Sequence, residues 1–160
     1  MGNQKMKGRY TTPGDRDVTV FVIGMKINKW RAVHKGLPVL IAMPPMIKEL
    51  SINKELGCMG IQSYIQFPTT MMIQYWNSKE QLLAYAKAPK HLKAWRTFNK
   101  RTKGNDAVGI YHETYIVPKG AYESIYVNMP SLGLGKALGT EPVTKATGTA
   151  NERMGRTAGK

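Results

Sequence analysis

Two stretches of this chain, Val18–Ile27 and Val108–Val117, are apolar on both faces of an extended strand. In the first, Val18, Val20 and Val22 alternate with Phe21 and Ile23. The second carries Val108, Ile110, Tyr111, Thr114, Tyr115, Ile116 and Val117, the β-branched and aromatic types that suit a pleated surface. A strand that is apolar on both sides has to be covered on both sides. The chain must therefore build a sheet with a layer against each face. The second stretch adds a cost of its own. His112 and Glu113 sit in its middle, and each needs a partner, a ligand or solvent there.

The intervening segments supply one of the two layers. Trp30 to Leu56 reads as a helix interrupted at Pro44-Pro45, with Met43, Met46, Ile47 and Leu50 on one stripe. Gly57 is a helix stop. Cys58–Phe67 and Thr69–Trp76 read as an antiparallel pair joined near Pro68. Ser78 and Gln81 have capping-box spacing and open a helix that pauses at Ala88-Pro89. It resumes with His91, Ala94, Trp95 and Phe98 on one face and ends at Gly104-Asn105. Pro118–Gly120 is a turn, Tyr122–Val127 a fifth strand, and Met129–Leu138 a loop or short helix. The order β-α-β-β-α-β defines the split βαβ, ferredoxin-like pattern of the α+β class, with an antiparallel sheet. Its helices cover one face. The simplest cover for the other is a second copy of the same sheet, in a homodimer. Residues 1–16 are expected to form a flexible basic arm, residues 17–138 the folded domain, and residues 139–160 a disordered basic tail, because the tail lacks aromatic side chains.

Composition narrows the function classes. A length of 160 residues with 42% hydrophobic content suits one domain. No stretch reaches the roughly 18 apolar residues of a membrane span, and no apolar signal core follows the N-terminus, so a cytoplasmic protein is expected. Cys58 is the only cysteine, which excludes an internal disulfide and a Cys-rich zinc site. His34, His91 and His112 have no metal-ligand spacing, and no metal site is expected. The net charge of +14 is densest from Lys87 to Lys103. No zinc-finger, RNP or GxxG element accompanies it, so it reads as a solvated helix face rather than a nucleic-acid surface. Nucleotide-loop and nucleophile-elbow patterns are missing as well.

Neighbours on a strand point to opposite faces, so His112 and Glu113 cannot act on one another. If the Pro118–Gly120 turn pairs Thr114 with Glu123, Glu123 falls on the His112 face and could orient the imidazole; one residue of slip reverses this. His91 shares an apolar helix face with Trp95 and Phe98. Met72, Gln74 and Trp76 alternate with Met71, Ile73 and Tyr75. Whichever set faces the helices can floor a cavity for an apolar or aromatic molecule.

Four segments carry a resemblance. They are Gln74-Tyr-Trp-Asn-Ser-Lys-Glu-Gln-Leu-Leu-Ala-Tyr-Ala86, His91-Leu-Lys-Ala-Trp95, Gly109-Ile-Tyr-His-Glu-Thr-Tyr115, and Gly120-Ala-Tyr-Glu-Ser-Ile-Tyr126 with Asn128-Met-Pro130 and Gly133-Leu134. Over roughly residues 17–138 the chain resembles the bacterial and fungal family of fumagillin-cluster-type monooxygenase-like proteins. That family lies in the dimeric α/β-barrel superfamily with the antibiotic-biosynthesis monooxygenases. The resemblance implies a substrate cavity between sheet and helices and a cofactor-independent oxygenase acting on a small hydrophobic molecule. On that reading His112 is the base or an oxyanion donor, Glu113 or Glu123 its orienter, and His91, Trp95, Trp76, Met72 and Tyr111 line the pocket. The superfamily also holds haem-degrading enzymes and haem-dependent dehydratases, so the resemblance leaves haem, with His91 or His112 as ligand, as an alternative. A third reading is a non-catalytic binding or stress protein.

Overall fold

The two doubly apolar stretches pair with each other along their whole length. In the computed structural model, which describes residues 5–29, 31, 33–103 and 106–155, Val18 lies opposite Val117 and Ile27 opposite Val108. The elements run β1 (Arg9–Thr11), β2 (Val18–Ile27), α1 (Val33–Ile52), a 3₁₀ turn (Lys54–Leu56), β3 (Cys58–Gln66), β4 (Thr69–Trp76), α2 (Lys79–Ala86), α3 (Pro89–Thr102), β5 (Val108–Val117), β6 (Tyr126–Val127), α4 (Leu134–Leu138), β7 (Glu141–Pro142), a second 3₁₀ turn (Lys145–Thr147) and α5 (Ala150–Met154). The main sheet has the order β3-β4-β2-β5 and is antiparallel throughout. Without β1, this is the ferredoxin-like order, and the α+β class follows from it.

The register fixes the two faces. Phe21 packs against a cluster that includes Leu50 of α1 and Leu82 and Tyr85 of α2, so its face is the helix side. Its cross-strand neighbours share that face: Gln74 beside Phe21, Met72 and His112 beside Ile23, and Trp76 beside Thr19. Val18, Val20 and Val22 point the other way, with Ile73, Tyr75, Tyr111, Glu113 and Tyr115. The core on the helix side holds Leu50, Cys58, Trp76, Leu82 and Tyr85. A smaller cluster of Met25, Ala107 and Val108, packed by Phe98 and Ile110, closes the other end.

α1 is not interrupted at Pro44-Pro45; it runs through them to Ile52. Both prolines are exposed, whereas Met43, Met46, Ile47 and Leu50 turn inward. Packing of that stripe outweighs the loss of two backbone donors. The beginning of the expected helix, at Trp30, lies outside the described residues. Ser78 does cap α2, its Oγ accepting from the Gln81 amide at 3.2 Å.

The ends of the chain differ most from expectation. Tyr122–Val127 does not add a fifth strand beside β5. Only Tyr126–Val127 is extended, and it pairs with β1. On its other side β1 pairs with β7, which makes a second sheet of order β6-β1-β7. Residues 9–11 and 141–154, read as arm and tail, are therefore structured; residues 1–4 and 156–160 lie outside the described residues. The tail is ordered with few apolar groups because its polar groups are matched. Thr149 and Glu152 form a capping box on α5, and Thr144 and Thr147 form another on the preceding turn. Arg153, 7% exposed, donates through Nε to Glu123 Oε2 at 2.7 Å and through Nη1 to the Thr147 and Gly148 carbonyls at 3.1 Å.

This second sheet holds residues 122–134 against the free face of the main sheet. They wall a concavity of about 470 Å³ with Val18, Val20, Val22 and Tyr75. Gly133 comes so close that a β-carbon there would stand 3.0 Å from the Tyr75 hydroxyl. Part of the second cover is thus the chain's own C-terminal segment.

Candidate functional site

His112 is placed by β5, the edge strand of the main sheet, on the helix side. Its imidazole is exposed and lies 5.7 Å from the ring of Phe21, centroid to centroid. Phe21 in turn packs against the cluster that contains Trp76 and Tyr85. Trp76 and Tyr85 are 5.6 Å apart, and Tyr85 is 5.7 Å from His91. Two ring series, His112–Phe21 and Trp76–Tyr85–His91, thus join at the helix-side cluster and together make an aromatic row with a histidine at each end.

The polar groups along that row are positioned by one another. Trp76 Nε1 donates to Gln74 Oε1 at 3.0 Å, and Gln74 Nε2 donates to Met72 Sδ at 3.4 Å. This ladder follows from the period of β4, since residues two apart share a face. It lets a buried glutamine sit in an apolar layer at little cost. Burial, followed by the nearby Glu49 carboxylate, pushes the Tyr85 phenol up to about 12. His91 Nδ1 donates to the Ala86 carbonyl at 3.0 Å, which turns the other ring nitrogen, Nε2, into the acceptor.

The structure separates the remaining candidates. Glu113 lies on the opposite face from His112 and accepts the Tyr115 hydroxyl at 2.6 Å. That hydrogen bond and the carboxylate charge raise the Tyr115 pKa. Glu123 does not orient His112. It lines the opposite-face concavity, paired with Arg153, because the hairpin that would carry it past Thr114 does not form. Tyr111 is also on that face, its ring lying on Gly24, where a β-carbon would overlap it. Trp95 stacks on Phe98 at 5.7 Å and is 42% exposed. Trp76 itself is 0% exposed, so it is core rather than pocket surface, and Met72 is buried beside it. Phe21 and Tyr85 are the two row members that sequence reasoning passed over. The cross-strand position of Phe21 was the only signal for it.

Cys58 closes one end of this layer. Burial pushes its thiol from 9.0 up to about 11. The neutral thiol is favoured in the folded state, so this contribution to stability is complete below about pH 9 and is lost as pH rises toward about 11. At pH 8 the native protein should hold about a hundredfold less thiolate than an unfolded chain, from the arithmetic of two pH units. Ellman's reagent should react slowly with the native protein and rapidly in denaturant. Equal rates would contradict the burial described.

Among the described residues no group of three or more His, Cys, Asp or Glu side chains could hold a metal ion, and no helix is long and apolar enough to cross a membrane.

Known proteins carry the same sheet and helices. An aldoxime dehydratase superposes with a TM-score of 0.68 at 20% identity, over 87% of this chain and 42% of the dehydratase. A second, OxdRE in complex with butyraldoxime, gives 0.64 at 18% identity, over 87% of this chain and 41% of that one. At such identities these likenesses bear on the fold alone. In sequence, the monooxygenase af470 of Aspergillus fumigatus is 30% identical over 132 residues, 78% of this chain. The chain spans about half the length of that relative, 47%. The profile of the Monooxygenase af470-like family matches residues 18–134, from the first strand of the main sheet to the start of α4, and the chain belongs to that family.

Proposed function

We propose that this protein is a monooxygenase-type enzyme acting on a hydrophobic or aromatic small molecule held between sheet and helices. The observation that carries the reading is the placement of His112. An exposed imidazole stands on the helix-side face of an edge strand, next to the Phe21 ring and at the end of an aromatic row. A base beside an apolar floor suits removal of a proton from a phenol or an activated carbon. The electron-rich anion so formed can reduce O₂, one oxygen atom entering the substrate and the other leaving as water, with the substrate supplying the electrons. Family membership supports the same reading. The test is oxygen uptake by dialysed protein with a panel of phenols and quinols between pH 7 and 9. Uptake that needs both protein and an ionisable substrate is expected; none across the panel would sink the proposal.

Haem binding has one observation in its favour. The bond from His91 Nδ1 to the Ala86 carbonyl leaves Nε2 as the nitrogen that could bind iron. Haem bound there would supply redox chemistry that no side chain here offers. A Soret band that forms with added hemin and is lost in His91→Ala would support this reading; no band in the wild type would remove it.

The enzyme is further proposed to work as a homodimer paired through the free sheet face. Tyr64, Tyr111 and Tyr115 remain 49%, 45% and 50% exposed there, Tyr64 and Tyr115 even though they line the concavity walled by residues 122–134. Val22 lines that face. Val22→Lys should sediment as a monomer, because an unpaired charge buried in an interface is strongly unfavourable. A wild-type protein that is already monomeric at micromolar concentration would end this proposal.

A further inference from the structure

We propose that the groove between α1, β3 and α4 binds a small apolar carboxylate. The groove has a volume of about 310 Å³, room for a molecule of about ten heavy atoms. Its floor is apolar: Ile47 and Leu50 from the inward stripe of α1, and Ile61 on the helix-side face of β3. Its rim is cationic and hydroxylic, with Lys54, Lys136 and Ser63.

The two lysines come from different parts of the fold. Lys54 belongs to the 3₁₀ turn that follows α1. Lys136 is carried in by α4, which packs on β3 at Gly60, where a β-carbon would stand 3.1 Å from Ala137 Cβ. Neither ammonium is ion-paired among the described residues, and Glu55, the acid next to Lys54, is not in the lining. Elsewhere Lys90 is matched by Glu49 at 2.7 Å. Two unmatched cations over an apolar floor select a ligand with one anionic end and a hydrocarbon body. The anion gains charge-assisted hydrogen bonds and the body gains burial. A neutral ligand of the same shape gains only the second.

The test is calorimetric titration of the full chain with octanoate and, as the neutral control, 1-octanol. Octanoate should bind about tenfold or more tightly than octanol, and 0.5 M salt should weaken only octanoate. Lys54→Glu with Lys136→Glu should lower octanoate affinity about tenfold or more and leave octanol unchanged. Because both lysines are exposed, the variant should fold, which a thermal melt checks. Lys54→Gln with Lys136→Gln should give a smaller loss in the same direction. Octanoate should also slow modification of Cys58, which lines the groove. Equal affinity for octanoate and octanol, no binding of octanoate, or undiminished binding by the charge-reversed variant would overturn the proposal. Since His112 is not in the lining, a failure of the oxygen-uptake test leaves this result untouched.

Discussion

Replacing His112 by alanine should lower turnover of a substrate that supports oxygen uptake by about 10²–10⁴-fold, the usual contribution of a positioned acid–base group. The melting temperature should move by no more than a few degrees. The reason is local. The imidazole is exposed on an edge strand and touches the Phe21 ring, so truncation opens no cavity in the core. His112→Asn should behave like alanine, since an amide cannot take a proton near neutral pH. Steady-state kinetics beside a thermal melt reads both quantities. Full activity per folded molecule in His112→Ala, with about 1–3 kcal/mol lost from stability, would make the histidine architectural. The search for the base would then move to His91, at the other end of the aromatic row.

Removing residues after Gly139 should destabilise the protein by about 3–5 kcal/mol, the cost of breaking a buried charged pair, which for a domain of this size is about 10 °C or more in melting temperature. The deletion takes away β7 and with it one of the two neighbours of β1. It also removes Arg153, whose three hydrogen bonds tie Glu123 and the Thr147–Gly148 turn together. Arg153→Met isolates the second effect: it keeps bulk at the site but leaves the Glu123 carboxylate and the Thr147 carbonyl without the arginine donor, while the Gly148 carbonyl still accepts from Arg9. A truncated protein that melts within two degrees of the full chain would show that the second sheet adds nothing to the stability of the first.

The main sheet and its helices were legible because hydrophobic period carries them. The apolar run Thr69–Trp76 marks a strand, and the stripe from Met43 to Leu50 states which side of its helix is in. The tail was illegible for the complementary reason. Its order comes from backbone pairing, two capping boxes and one buried arginine, and none of these raises local hydrophobicity. The Thr149-x-x-Glu152 spacing is a helix-start pattern, but the tail was read from its lack of aromatic side chains alone. Within the site, residue types were readable but faces were not. The placement of Glu123 depended on a hairpin register that period alone cannot supply. The separation of Tyr111 from Met72 and Trp76 followed only once β2 had fixed the alignment of both its neighbours.

The position of β1 between β6 and β7 has a consequence in time. A ribosome releases a chain from its N-terminus, so Arg9–Thr11 emerges before the main sheet, while both of its pairing partners lie at Tyr126 and later. During synthesis the edges of β1 stay open until Tyr126–Val127 and then Glu141–Pro142 have appeared. The four strands of the main sheet, complete at Val117, can already have assembled by then. Contacts of such long sequence separation form late and slowly, so the second sheet is a closing event on a preformed core. Between the two events the Val18, Val20 and Val22 face is exposed on the nascent chain, and this is the interval in which the protein most needs protection from aggregation.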